Sequence, residues 1–111
     1  MTNIHLIVYT TKYRKGSAEF RRIAATMKDE LEKQYTDEVL CLPIVTKKDL
    51  NKIFQALINE DKQMLSYHFV GHSGMYGPMY GTVEYPEQLS LLERQHMDFQ
   101  FAEIGKAYCH C

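Results

Sequence analysis

Residues 4–10 read Ile-His-Leu-Ile-Val-Tyr-Thr, and this run decides the fold. Its apolar, β-branched residues fall on both faces of an extended chain. That is the signature of a strand buried on both sides, as in a parallel sheet covered by helices. A helical pattern follows: Ser17 is a cap, and Phe20, Ile23, Met27 and Leu31 recur at helical spacing through about Gln34. Arg21, Arg22, Lys28, Asp29, Glu30 and Glu32 fill the intervening positions and solvate the opposite face. Val39–Val45 (VLCLPIV) is a second strand. Its Pro43 has no ladder donor, which assigns it to an edge. Thr46 opens a second helix with Leu50, Ile53, Phe54 and Leu57 on one stripe, ending near Glu60. Asp49, three residues after Thr46, comes close to a capping box.

The pattern continues with a third strand, Met64–Val70 (MLSYHFV). A segment with four glycines and one proline in the eleven residues 71–81 follows and reads as a loop. Residues 86–97 suggest a short helix, and Lys106–His110 a fourth strand. Alternation of strand and helix predicts an α/β fold, a three-layer α/β/α sandwich with a four-stranded parallel sheet. Right-handed crossovers and the edge proline favour the order 2-1-3-4. Sheets of this kind take ligands outside the carboxyl ends of their strands. The functional segments are therefore 10–17, 44–48, 71–82 and 109–111.

Composition narrows the function classes. The chain has 111 residues, one domain's worth, and is read as a single α/β domain or the N-terminal part of a larger one. Hydrophobic residues at 45% exclude disorder as the main state. A net charge of −1 offers no basic surplus for nucleic acid or an anionic membrane. No apolar run reaches the roughly 18 residues of a membrane span. Three cysteines make an odd count for a disulfide scaffold, and cytoplasmic localisation is expected.

In the predicted order, strands 3 and 4 are neighbours. His72 follows strand 3; Cys109 and Cys111 end strand 4. A histidine and a thiol thus meet at the functional edge. A thiolate is a strong nucleophile, and a nearby imidazole lowers its pKa or takes its proton. Backbone N–H groups around Ser73 and Gly74 suit a developing oxyanion. The same residues also fit a plainer reading, a loop histidine beside two core cysteines.

His68-Phe69-Val70-Gly71-His72-Ser73-Gly74 and Ala107-Tyr108-Cys109-His110-Cys111 resemble the two motifs of caspase-like cysteine peptidases, the caspase-haemoglobinase fold. Ser73 stands where that family usually has a glycine. The resemblance implies a His/Cys dyad, with His72 as general base and Cys111 or Cys109 as nucleophile. It also implies that the chain matches the N-terminal half of such an enzyme, little active alone, with a peptide or small-molecule substrate that the sequence does not name. A competing resemblance is to flavodoxin-like proteins. There Thr10, Thr11 and Ser17 would hold the phosphate of FMN at a helix N-terminus, and Tyr76 would stack on the flavin. Lys12, Arg14 and Lys15 suit a bare phosphate.

Zinc is a third alternative, through His72, Cys109, His110 and Cys111, but residues adjacent on a strand point to opposite faces; no metal site is assigned. Gly71-His72-Ser73-Gly74-Met75 misses the α/β-hydrolase elbow, because position 75 is Met. His5 and His68 read as packing residues, and Cys41 as a small buried hydrophobe. Strand 4, with Ala107, Tyr108 and Cys109 unprotected, predicts a homo-oligomer through its edge.

Overall fold

The computed structural model describes residues 2–12, 17–71, 73–74, 77–81, 86–88 and 101–110. Its first part is β1 (Thr2–Thr10), α1 (Ser17–Gln34), β2 (Glu38–Ile44), α2 (Lys47–Asn59) and β3 (Lys62–Val70). The fold is α/β: β1 pairs in parallel with β2 on one side and β3 on the other. Pro43 of β2 lies opposite Tyr9, on the strand that flanks β1. None of the helices among the described residues is long and apolar enough to cross a membrane.

The double-sided apolar character of β1 is explained by two separate cores. Ile4, Leu6 and Val8 pack with Leu50, Phe54 and Leu57 of α2, together with Ile44, Met64, Tyr67 and Phe69. Ile7 packs with Ala24 of α1, Val39 and Val70, flanked by Phe20, Met27 and Leu31. Strand residues alternate between faces, so Ile4, Leu6 and Val8 belong to one core and Ile7 to the other. The α1 stripe differs from the sequence reading at one position. Ala24 is buried and Ile23 is 40% exposed, because the Phe20–Ala24–Met27–Leu31 line faces the sheet and Ile23 falls on its flank.

A bulge adjusts β3. Ile4 pairs with Met64 but His5 pairs with Ser66, so Leu65 is the extra residue. The extra residue resets the side-chain alternation. Met64 and Tyr67 consequently join the same core although they are an odd number of positions apart.

The capping box of α2 is formed. Thr46 Oγ1 accepts from Asp49 N at 3.3 Å. Asp49 Oδ2 accepts from Val45 N at 2.9 Å and Thr46 N at 3.1 Å. These backbone bonds, that from Val45 first, hold the Asp49 carboxyl below the ordinary carboxylate pKa. At the other end of α2, Asp61 has φ 56°, a conformation aspartate tolerates better than most residues. Its carbonyl accepts from Thr2 N at 3.1 Å, tying the turn to the start of β1.

Beyond β3, short extended segments stand within the expected loop and at the first three residues of the expected helix. They are β4 (Ser73–Gly74), β5 (Gly77–Gly81) and β6 (Pro86–Gln88), paired antiparallel, followed by β7 (Phe101–His110). Pro86 suits the first position of a strand as well as that of a helix. Residues 89–97 of the expected helix lie outside the described residues.

Candidate functional site

Parallel pairing brings the ends of β1, β2 and β3, at Thr10, Ile44 and Val70, to one edge of the sheet. It is also the edge from which the chain enters both helices. Order β2-β1-β3 places the reversal of winding at β1, so the crevice between the ends of β1 and β3 is the switch point.

Thr10 and Gly71 meet there. Thr10 is 2% exposed and its Oγ1 has no hydrogen-bond partner among the described residues. A Cβ built on Gly71 would stand 2.6 Å from Thr10 Oγ1 and 2.9 Å from Phe69 Cζ. Position 71 therefore admits no side chain without rearrangement. Thr11, grouped with Thr10 by the sequence, has a different task. Its Oγ1 and N both donate to Ile44 O, at 3.3 and 3.2 Å, holding the end of β1 to the end of β2. Ser17 is the first residue of α1.

The unpartnered Thr10 hydroxyl is a cost to the fold, since a buried polar group without a partner forfeits its hydration. Thr10→Val, which replaces the hydroxyl with a methyl of similar size, is expected to raise stability by about 1 kcal/mol. Urea unfolding checks this. A loss of stability would mean that the hydroxyl has a partner in solution.

Of the dyad residues, Cys109 lies in β7 and Ser73 and Gly74 form β4, with Ser73 opposite Pro78 and Gly74 opposite Gly77. His72, Tyr76 and Cys111 lie outside the described residues, as do Arg14 and Lys15. Cys41, half-buried on β2, has its thiol pKa raised by burial, partly offset by the charge of Lys28. Burial thus disfavours its thiolate, the reactive form. Among the described residues, no three or more His, Cys, Asp or Glu side chains are grouped to hold a metal.

A second polar group lies in the sheet itself. His5 Nδ1 is 2.6 Å from Ser66 Oγ, and His68 Nε2 is 3.1 Å from the same oxygen. All three residues are buried, and His5 Nε2 has no hydrogen-bond partner among the described residues. The Tyr35 ring lies 4.7 Å from the His5 ring. Sequence reading took both histidines as packing residues. Their shared serine follows from the register, which no single segment displays.

Comparison with protein-family models, curated proteins and solved structures finds no match.

Proposed function

We propose that the chain is a caspase-like cysteine hydrolase scaffold, a three-layer α/β/α module whose parallel sheet has the order β2-β1-β3-β7. His72 is the general base and Cys111 or Cys109 the nucleophile. The observation that carries this reading is the register of β3 with β7. Ser66 runs level with Lys106, and the pairing continues in parallel to Val70 with His110. Both motifs then leave neighbouring strands, about 4.8 Å apart, at the edge where Thr10 and Gly71 meet. The separate cores of α1 and α2 support the layering.

The chemistry needs few parts. The His72 imidazole takes the thiol proton, and the thiolate adds to a carbonyl carbon. Backbone N–H groups near Ser73 and Gly74 stabilise the oxyanion. Treatment with an equimolar amount of iodoacetamide at neutral pH tests the assignment. Cys111 or Cys109 is expected to be labelled rapidly, and His72→Ala to slow that labelling while leaving Cys41, whose thiol pKa is raised by burial, unchanged. Labelling of Cys111 and Cys109 that is indifferent to His72 overturns it.

One observation favours a second reading. The buried, unpartnered Thr10 hydroxyl at the switch point suits a phosphate-bearing ligand such as FMN. Thermal unfolding with added inorganic phosphate or FMN separates the two readings. A rise in Tm that Thr10→Val abolishes supports the binding module, and an unchanged Tm removes it.

A further inference from the structure

We propose that His5, Ser66 and His68 form an acid-sensitive latch between β1 and β3. The three side chains are buried, and Ser66 Oγ touches both rings. His5 and Ser66 are partners in the β1–β3 register, so the contact bridges the central strand and its neighbour.

Hydrogen counting explains the sensitivity. Ser66 has one hydroxyl hydrogen and two lone pairs, and a neutral imidazole has one donor and one acceptor nitrogen. With both rings neutral, one accepts from Ser66 and the other donates to it. A proton on one ring makes that ring a donor on both sides, and Ser66 still donates to the other. With both rings protonated, Ser66 receives two donors, and neither ring accepts its hydrogen. Two positive charges then share one buried serine, at a large desolvation cost.

The α1–β2 connection supplies the Tyr35 ring against His5 and the negative charge of Asp37, which favours a protonated His5. Val39 is the β2 partner of His5 and is apolar. From α1, Phe20, Ala24, Met27 and Leu31 pack on this face, and the charge of Lys28 reaches the Cys41 thiol that packs beside them. On the far side of β3, Lys106 runs level with Ser66 and Tyr108 with His68. Burial outweighs Asp37, and the His5 pKa lies below its ordinary 6.5.

The sign follows from linkage. Above about pH 6.5 both the folded and the unfolded chain hold His5 neutral, and its contribution is fully present. As the pH falls below that value the unfolded chain takes up a proton that the fold refuses. Stability is then lost until the pH reaches the lowered pKa of the fold. The unfolding constant rises by up to about tenfold per pH unit for this one group.

The test is urea unfolding of the full chain from pH 8 to pH 5, in the parent and in His5→Phe. The parent is expected to lose stability below about pH 6.5, and the variant to lose distinctly less. Equal pH slopes overturn the latch. Should His5→Phe fail to fold, ring NMR titration of the parent decides. A His5 that stays neutral below 6.5 supports the latch, and one that titrates at or above 6.5 overturns it.

Discussion

Leu6→Ala is expected to lower the unfolding free energy by about 3 kcal/mol, within the range of roughly 2–5 kcal/mol for such truncations in packed cores. Leu6 is fully buried on the central strand, between Leu40 of β2 and Tyr67 of β3. The α2 residues Leu50, Phe54 and Leu57 belong to the same core. The backbone around Leu6 is paired on both sides, so the sheet has little freedom to collapse into the void. Domains of this size have about 5–15 kcal/mol in total, and the loss is a large share of it. Urea unfolding should show a lower midpoint with an unchanged slope, the mark of altered stability rather than an altered unfolded state. A loss under about 1 kcal/mol would mean that α2 does not cover this face.

Gly71→Ala is the second large effect, a destabilisation of about 1–3 kcal/mol from overpacking. The added methyl carbon would lie 2.6 Å from Thr10 Oγ1 and 2.9 Å from Phe69 Cζ. Both neighbours are buried in the sheet, so neither can step aside freely. A double-mutant cycle isolates the cause. Thr10→Ala removes the nearer obstacle, and the pair should cost less than the sum of the single changes by roughly 0.5 kcal/mol or more. Strict additivity would place the strain on Phe69 alone. Because Gly71 immediately precedes His72, the same substitution should also slow labelling of Cys111 or Cys109 if the dyad operates.

Much of the first seventy residues was legible before any coordinates. Residues 4–10 announced a strand covered on both faces because they carry apolar side chains at both parities. Pro43 announced a flanking strand by its missing donor, and Thr46 with Asp49 announced a helix start by reciprocal capping. These are local signals, each contained within a few residues. The bulge at Leu65 was not legible, since one extra residue in a paired strand leaves no compositional mark. For the same reason the His5–Ser66 contact was missed: its partners are 61 positions apart and meet only through that shifted register. Thr10 and Thr11 look equivalent as neighbours in sequence. Alternation sends them different ways, so that Thr11 is spent on Ile44 O while Thr10 is left unpartnered. After Gly71, glycine and proline mark turns without saying which extended pieces pair across them.

The central claim is that the ends of β3 and β7 couple a histidine to a thiol. The most direct measurement is the rate of iodoacetamide alkylation at each cysteine against pH, read by mass spectrometry in the parent and in His72→Ala. The account predicts that Cys111 or Cys109 reacts with an apparent pKa well below the roughly 8.5 of free cysteine, and that His72→Ala returns it to that value. Cys41, with its thiol pKa raised by burial, should react slowly and identically in both proteins. Ordinary profiles at Cys109 and Cys111, unchanged by the loss of His72, would contradict the account.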